Sequence, residues 1–273
     1  MLKSFERTVV QEDDVPYICK ILQIIANCNL SNIKGAILNE EFKQICSKIF
    51  VSFTSLSKNF VDILALIECQ ICICKNSKVS ITSDTMDDIL IFLTTLNVNE
   101  LLELENENEN YFKIHQAISD LCISIIKNRH LLIMDRVPQF MNVFTKQMES
   151  ICFYKSQRQK HINLSNEELE KLKESLLKLE NLMHLIATHA IEFKRVAPYI
   201  LTFAINAMVS DKRSTTLYPK IKSHVENICY DLIKICDHRV GRFILRCSNE
   251  ASRQVYEVLT KDFNKYHKFK GKI

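Results

Sequence analysis

The stretch SNEELEKLKESLLKLENLMHLI, residues 165–186, decides the fold class. It opens with Ser165-Asn166-Glu167-Glu168, the pattern of a capping box, in which the serine and the second glutamate satisfy free amides of the first helical turn. Apolar side chains then recur at alternating intervals of three and four residues, at Leu169, Leu172, Leu176, Leu179, Met183 and Ile186. This spacing places them on one helix face. The sequence therefore predicts a long helix with one buried seam.

The same helical period continues on both sides of this stretch. We expect earlier helices near 15–29, 40–56, 59–75, 83–96, 111–128 and 136–153. Later helices are expected to open at Pro198 and Pro219 and after Ser248-Asn249-Glu250, because proline and capping residues favour a first turn. No segment shows an alternation that demands a strand. We therefore predict an all-α fold of about ten to twelve helices without a sheet.

Composition narrows the architecture further. The chain has only three Gly and four Pro among 273 residues, against average frequencies of about 7% and 5%. Folds that need glycine turns, including P-loop and dinucleotide-binding enzymes, are thus nearly excluded. Helices of this length joined by short links indicate stacked antiparallel pairs, as in an armadillo or HEAT solenoid. No fixed repeat period is found, so an irregular helical bundle is the alternative.

We expect residues 1–273 to form a single α-helical domain. Two links stand out by composition: the acidic ELENENEN at Glu103–Asn110 and the basic KSQRQKH at Lys155–His161. Both are read as loops. Neither is long enough to separate independent domains.

The eleven cysteines are spread through apolar helical runs of a long chain. A short secreted chain would use them for disulfides, whereas here they fit small core hydrophobes in a reducing compartment. Met1–Arg7 leads into an acidic segment and does not resemble a signal peptide. The strongest apolar stretch, Tyr199–Val209, is about half the roughly 20 residues that a bilayer span needs. We expect no contact with a membrane.

Candidate chemistry is sparse. Cys69 and Cys72 would share a helix face, but Cys74 points away and no second ligand pair follows, so we expect no structural metal. The GxSxG, GxxxxGK[ST], GxGxxG and HExxH motifs are all missing. We therefore expect no catalysis, no cofactor and no small-molecule substrate. A cysteine-dependent hydrolase is the competing hypothesis, and it would require one hyperreactive thiol with a depressed pKa.

Charge is concentrated at the end of the chain. The net charge is +4, and the last fourteen residues hold five lysines against Asp262, which leaves residues 1–259 net neutral. Lysines interleaved with aromatic rings can contact phosphates while the rings stack on unpaired bases. The candidate RNA- or partner-binding residues are Lys261, Lys265, Tyr266, His267, Lys268, Phe269, Lys270 and Lys272. Alternatively, Phe263 and Tyr266 pack on the body of the protein while the lysines face water.

The terminal stretch VYEVLTKDFNKYHKFKGKI, Val255 to Ile273, resembles the C-terminus of a known family. This is the second unhealthy-ribosome-biogenesis protein family, also called nucleolar pre-ribosome-associated proteins. RHLLIMDRVPQF at Arg129–Phe140 and HLIATHAIEFKRVAPYIL at His184–Leu201 resemble the helical blocks that precede that end. The resemblance implies that most of the chain corresponds to the C-terminal domain of a much longer protein.

The resemblance also implies a function. It implies a nucleolar, non-catalytic helical-repeat scaffold in early large (60S) subunit assembly, on which processing of the precursor rRNA depends indirectly. The implied protein partners are pre-60S assembly factors, namely a related large helical-repeat protein and a DEAD-box helicase subcomplex. Precursor rRNA is a further candidate partner. A general helical-repeat protein adaptor without an RNA role is the alternative. The family offers no catalytic residues to assign to this chain.

Overall fold

A computed structural model describes residues 14–27, 46, 59–77, 79–99, 108–154, 164–209, 217 and 219–267. All regular structure in these ranges is helical, and they contain no strand, as the sequence predicts. No helix among the described residues is long and apolar enough to cross a membrane. The contacts of the chain divide it into two compact units, Met1–Gln139 and Phe140–Ile273.

Eleven α-helices have both ends within the described residues. They are α1 (Val15–Asn27), α2 (Phe60–Lys75), α3 (Ser83–Thr95), α4 (Asn108–Arg129), α5 (Val137–Cys152), α6 (Asn166–Ala187), α7 (Ala190–Phe193), α8 (Ala197–Val209), α9 (Pro219–Ile235), α10 (Val240–Cys247) and α11 (Glu250–Asp262). Two short 3-10 turns, His130–Leu132 and Met134–Arg136, join α4 to α5, and a π-helical turn, Phe263–His267, follows α11.

In the first unit, α2 packs against both α1 and α4. The Sγ of Cys72 lies 3.8 Å from the carbonyl oxygen of Gln23, and one turn later the Asn76 amide donates to the carbonyl of Ala26. Because residue numbers rise together on both helices, α1 and α2 run parallel.

Helix α4 has the same direction as α2. Its last residue, Arg129, donates to the carbonyl oxygens of Cys74 at 3.3 Å and of Val79 at 2.8 Å, and also to those of Ile73 and Asn76. The carboxyl ends of α2 and α4 therefore lie side by side. One arginine satisfies carbonyls of the last turn of α2, which have no partner within that helix.

In the second unit, α9 packs against α6, α8 and α11. The Nδ1 of His224 lies 2.6 Å from a carboxylate oxygen of Glu180, and Asn227 donates to the other oxygen at 3.0 Å. One turn further along α6, His184 Nδ1 lies 3.4 Å from Asp231. The residue numbers of the contacting pairs again rise together on both helices, so α6 and α9 are parallel.

The capping box of α6 is confirmed. The Ser165 hydroxyl accepts from the amide of Glu168 at 3.1 Å, and a Glu168 carboxylate oxygen accepts from the amide of Ser165 at 2.9 Å. The predicted seam is buried at Leu172, Leu176, Leu179, Met183 and Ile186, whereas Leu169 is half-buried.

Most of the remaining helix predictions are confirmed to within a few residues. Asn108–Asn110, predicted as loop, begin α4, in which Glu109 pairs with Lys113 at 2.7 Å. Helix α10 was not predicted separately, because its eight residues are too few for a clear period. The helix expected at 40–56 and the loop expected at 155–161 lie outside the described residues, apart from the buried, helical Cys46.

Candidate interaction surface

The predicted basic end is positioned by α11. The side chain of Asn249 accepts from the amide of Ser252 at 2.8 Å and so caps the helix. The buried hydroxyl of Ser252 donates to Oδ1 of Asn206 on α8, also at 2.8 Å. The start of α11 is therefore fixed to α8 by a side-chain hydrogen bond.

A stack of three rings holds the far end of α11 against α9. The ring of Tyr230 on α9 lies 6.4 Å from that of Phe263 and 4.3 Å from that of His267, in nearly parallel planes. Burial and the nearby carboxylate of Glu226 raise the pKa of Tyr230, so this phenol is neutral at physiological pH. Phe263 and His267 thus orient the residues around them.

Lys261, Lys265 and Tyr266 face solvent at this end. Tyr266 is 62% exposed, and the Nζ of Lys265 lies 4.7 Å from the centre of its ring. The alternative prediction, in which both Phe263 and Tyr266 pack on the body of the protein, is therefore right for Phe263 and wrong for Tyr266. The π-helical turn is the physical reason, because its wider turn rotates Tyr266, three residues after Phe263, further from the packed face than an α-helix would.

The structure thus brings together part of the predicted site. Lys265, Tyr266 and His267 lie within one turn, and Lys261 lies one turn earlier on α11. The other predicted residues, Lys268, Phe269, Lys270 and Lys272, lie outside the described residues. For the set as a whole, the assignment as a binding site stays a prediction.

A second cationic surface was missed in the sequence. Arg242 and Arg246 lie on α10 and Arg239 stands at its N-cap. All three are exposed, and their spacing of three and four residues places them on one face. We call these three residues the arginine face. The sequence did contain a signal for this surface. The eleven residues from His238 to Ser248 include one histidine, three arginines and no acidic residue.

Exposed rings and apolar side chains border the arginine face. Tyr199 at the start of α8 is 62% exposed, and its ring meets that of Phe243 edge-on with centres 5.0 Å apart. Leu245 is 48% exposed on α10. The opposite side of α10 is buried through Val240 and Ile244. The helix therefore presents cations and part of an aromatic pair to solvent.

Five of the thiols give the cysteine-dependent hydrolase no support. Burial raises the pKa of Cys74, Cys122, Cys152 and Cys236 to about 12. The pKa of Cys69 is also raised, by a hydrogen bond with the side chain of Cys19 and by burial. These side chains are protonated thiols, whereas a nucleophile needs a depressed pKa. No three His, Cys, Asp or Glu side chains in the described ranges are grouped to hold a metal ion.

Comparison with known proteins identifies one family. A family model described as the Urb2/Npa2 family matches residues 64–272, which is most of the chain and covers α3 to α11. No solved structure matches the chain.

Proposed function

Because the chain belongs to the Urb2/Npa2 family, whose members are ribosome biogenesis factors, we propose that it is a non-catalytic scaffold in early 60S assembly. The scaffold acts in the nucleolus, and processing of the large-subunit precursor rRNA depends on it. The resemblance seen in the sequence and the match over residues 64–272 point to the same family. The family is not a known enzyme family.

The observation that carries the scaffold proposal is the helix register. In a helical-repeat array, each helix runs antiparallel to the next and parallel to the one after it, so that equivalent helices stack. The parallel neighbours α2 and α4 are separated in sequence by one helix, α3, as such stacking requires. In the second unit, α6 and α9 are also parallel neighbours, with the four-residue α7 and the longer α8 between them in sequence. The parallel pair of α2 and α4 supports a solenoid over an irregular bundle.

We further propose that residues 1–273 are the C-terminal domain of a longer protein, with partners on more than one surface. The assembly factors implied by the family, a related large helical-repeat protein and a DEAD-box helicase subcomplex, would dock on the neutral body. The basic end, Lys261 to Lys272, would approach rRNA or an acidic partner surface. The exposure of Lys261, Lys265 and Tyr266 supports that role.

The test is affinity purification of the full-length protein from nuclear extract at two salt concentrations, with identification of the recovered RNA and proteins. We expect large-subunit precursor rRNA and pre-60S assembly factors, with any RNA contact weakening as salt rises. Recovery of unrelated protein complexes without precursor rRNA would instead support the adaptor.

A charge-reversal variant then addresses the basic end. Lys265→Glu, Lys268→Glu, Lys270→Glu and Lys272→Glu together should abolish pre-ribosome association. The matched control reverses four exposed lysines elsewhere, Lys20, Lys75, Lys127 and Lys173, and should retain association because it changes net charge equally. Unchanged association of the first variant, or equal loss in the control, would refute a specific contact by the basic end.

A further inference from the structure

We propose that the arginine face of α10, together with the ring of Tyr199, binds the phosphates and a base of single-stranded RNA. This would be a contact separate from the basic end. The inference rests on the proposed function for its choice of RNA as the partner. The geometry of the surface is independent of that choice.

The three guanidinium groups are available to a ligand. Arg239, Arg242 and Arg246 have no ion-pair partner among the described residues, and each is exposed. The nearest acidic residue before them, Asp237, is 4.0 Å from Lys194 and accepts from the backbone amide of Arg239. The Asp237 carboxylate therefore interacts with the Lys194 ammonium and the Arg239 backbone amide, not with the guanidinium of Arg239.

This isolation contrasts with four lysines on other helices. Lys171, Lys173, Lys113 and Lys222 each lie within 4.0 Å of a glutamate on the same helix. Those pairs have the spacing that stabilises a solvated helix. Arginines without such partners are better suited to a ligand that supplies the negative charge itself.

The chemistry of the surface favours RNA over an acidic protein. Guanidinium groups bind phosphate through two parallel hydrogen bonds. Tyr199 adds an exposed ring, which Phe243 holds from its edge, so one face can receive a base. Stacking on aromatic rings beside cations is the usual mode for unpaired nucleotides. An acidic peptide would use the cations but would gain little from the ring.

The experiment measures binding of the purified chain to a fluorescein-labelled oligouridylate of about twenty nucleotides, across a salt series. The variant Arg239→Gln, Arg242→Gln, Arg246→Gln removes three charges but keeps the C-terminal lysines. Its matched control, Lys113→Gln, Lys173→Gln, Lys222→Gln, removes three exposed lysine charges that are paired on their own helices. Far-ultraviolet circular dichroism and thermal melting check that both variants fold.

We expect the arginine variant to bind about tenfold or more weakly, with a salt slope shallower by about two, since each phosphate contact on a single strand contributes about 0.7. Tyr199→Leu, which keeps an apolar contact for Phe243, should weaken binding about fivefold or more through loss of stacking. The control should bind nearly as the unaltered chain does. Equal affinities of the arginine variant and the control would overturn the proposal.

A competition experiment separates the two classes of partner. Polyglutamate at equal charge should compete much less well than unlabelled oligouridylate. If it competes equally, the surface recognises negative charge alone and the RNA assignment is wrong. Loss of oligouridylate binding in the arginine variant, combined with failure of the full-length protein to recover precursor rRNA, would refute the proposed function and leave the RNA site standing.

Discussion

Substitution of Arg129 by methionine should destabilise the first unit, because the Arg129 side chain caps the carboxyl end of α2. Methionine keeps much of the apolar stem but cannot donate to the carbonyl oxygens of Ile73, Cys74, Asn76 and Val79. These oxygens lie at and just beyond the end of α2, where the helix carries its partial negative charge. The variant therefore removes both the donors and the cation.

The magnitude follows from the geometry of these bonds. A hydrogen bond from a charged donor contributes about 1.5–3 kcal/mol, and the contact with Val79 at 2.8 Å is in this class. The contacts with Cys74 and Ile73, at 3.3 and 3.4 Å, are longer and weaker. Burial lowers the pKa of Arg129, which shows a desolvation cost that offsets part of the gain. We expect a net loss of about 2–4 kcal/mol.

Urea unfolding followed by circular dichroism measures the loss, and hydrogen exchange locates it. Exchange should accelerate first at the amides around Asn76–Val79, whose turn Arg129 holds closed. Lys127→Met is the matched control, since Lys127 is exposed in the same last turn of α4, and it should change stability by less than about 0.5 kcal/mol. Equal stability of the two variants would refute the capping role. Arg129→Lys should fall between them, because one ammonium cannot reach four carbonyls.

Two smaller effects should follow from local electrostatics and capping. Hydrogen bonding from Arg136 lowers the pKa of Asp87, so the pair stabilises the fold above the unfolded-state pKa near 4 and its contribution is lost as pH falls through the lower folded pKa. Because the Asp87 side chain is 38% exposed, Asp87→Asn should cost at most about 1 kcal/mol at pH 7, and chemical denaturation at about pH 2 should show no difference. Ser165→Ala should cost about 1 kcal/mol by opening the capping box of α6; a thermal midpoint within error of the unaltered chain would contradict this.

Local sequence signals accounted for the helices well. Ser165 and Glu168 bond to each other's amides as the capping-box pattern predicts, and Pro219 opens α9 where expected. These predictions succeed because capping and first-turn preferences involve residues within four positions of each other. The same reasoning could not define α10, in which Gly241 and a length of eight residues weaken the local signal.

Contacts between distant residues could not be predicted in this way. The resemblance of Arg129–Phe140 to the family was visible in the sequence, but the partners of its two arginines were not. Arg129 reaches carbonyls more than 49 residues earlier, and Arg136 reaches Asp87 across 49 residues. Such pairings depend on which helices stack. Parallel stacking of α2 and α4 therefore had to come from the structure.

Charge illustrates the same limit for the candidate sites. Summing the charges along the sequence located the basic end, which has five lysines and one acidic residue. The same sum showed that residues 1–259 have no net charge. A neutral sum, however, does not show which cations already have partners. Lys171 lies 2.7 Å from Glu167 on α6, whereas the arginine face of α10 has no carboxylate partner among the described residues. Both α6 and α10 contribute cations to the net charge of residues 1–259, but the two helices differ in what they can bind. A polyanion would dock where the cations have no carboxylate partner, as on the arginine face.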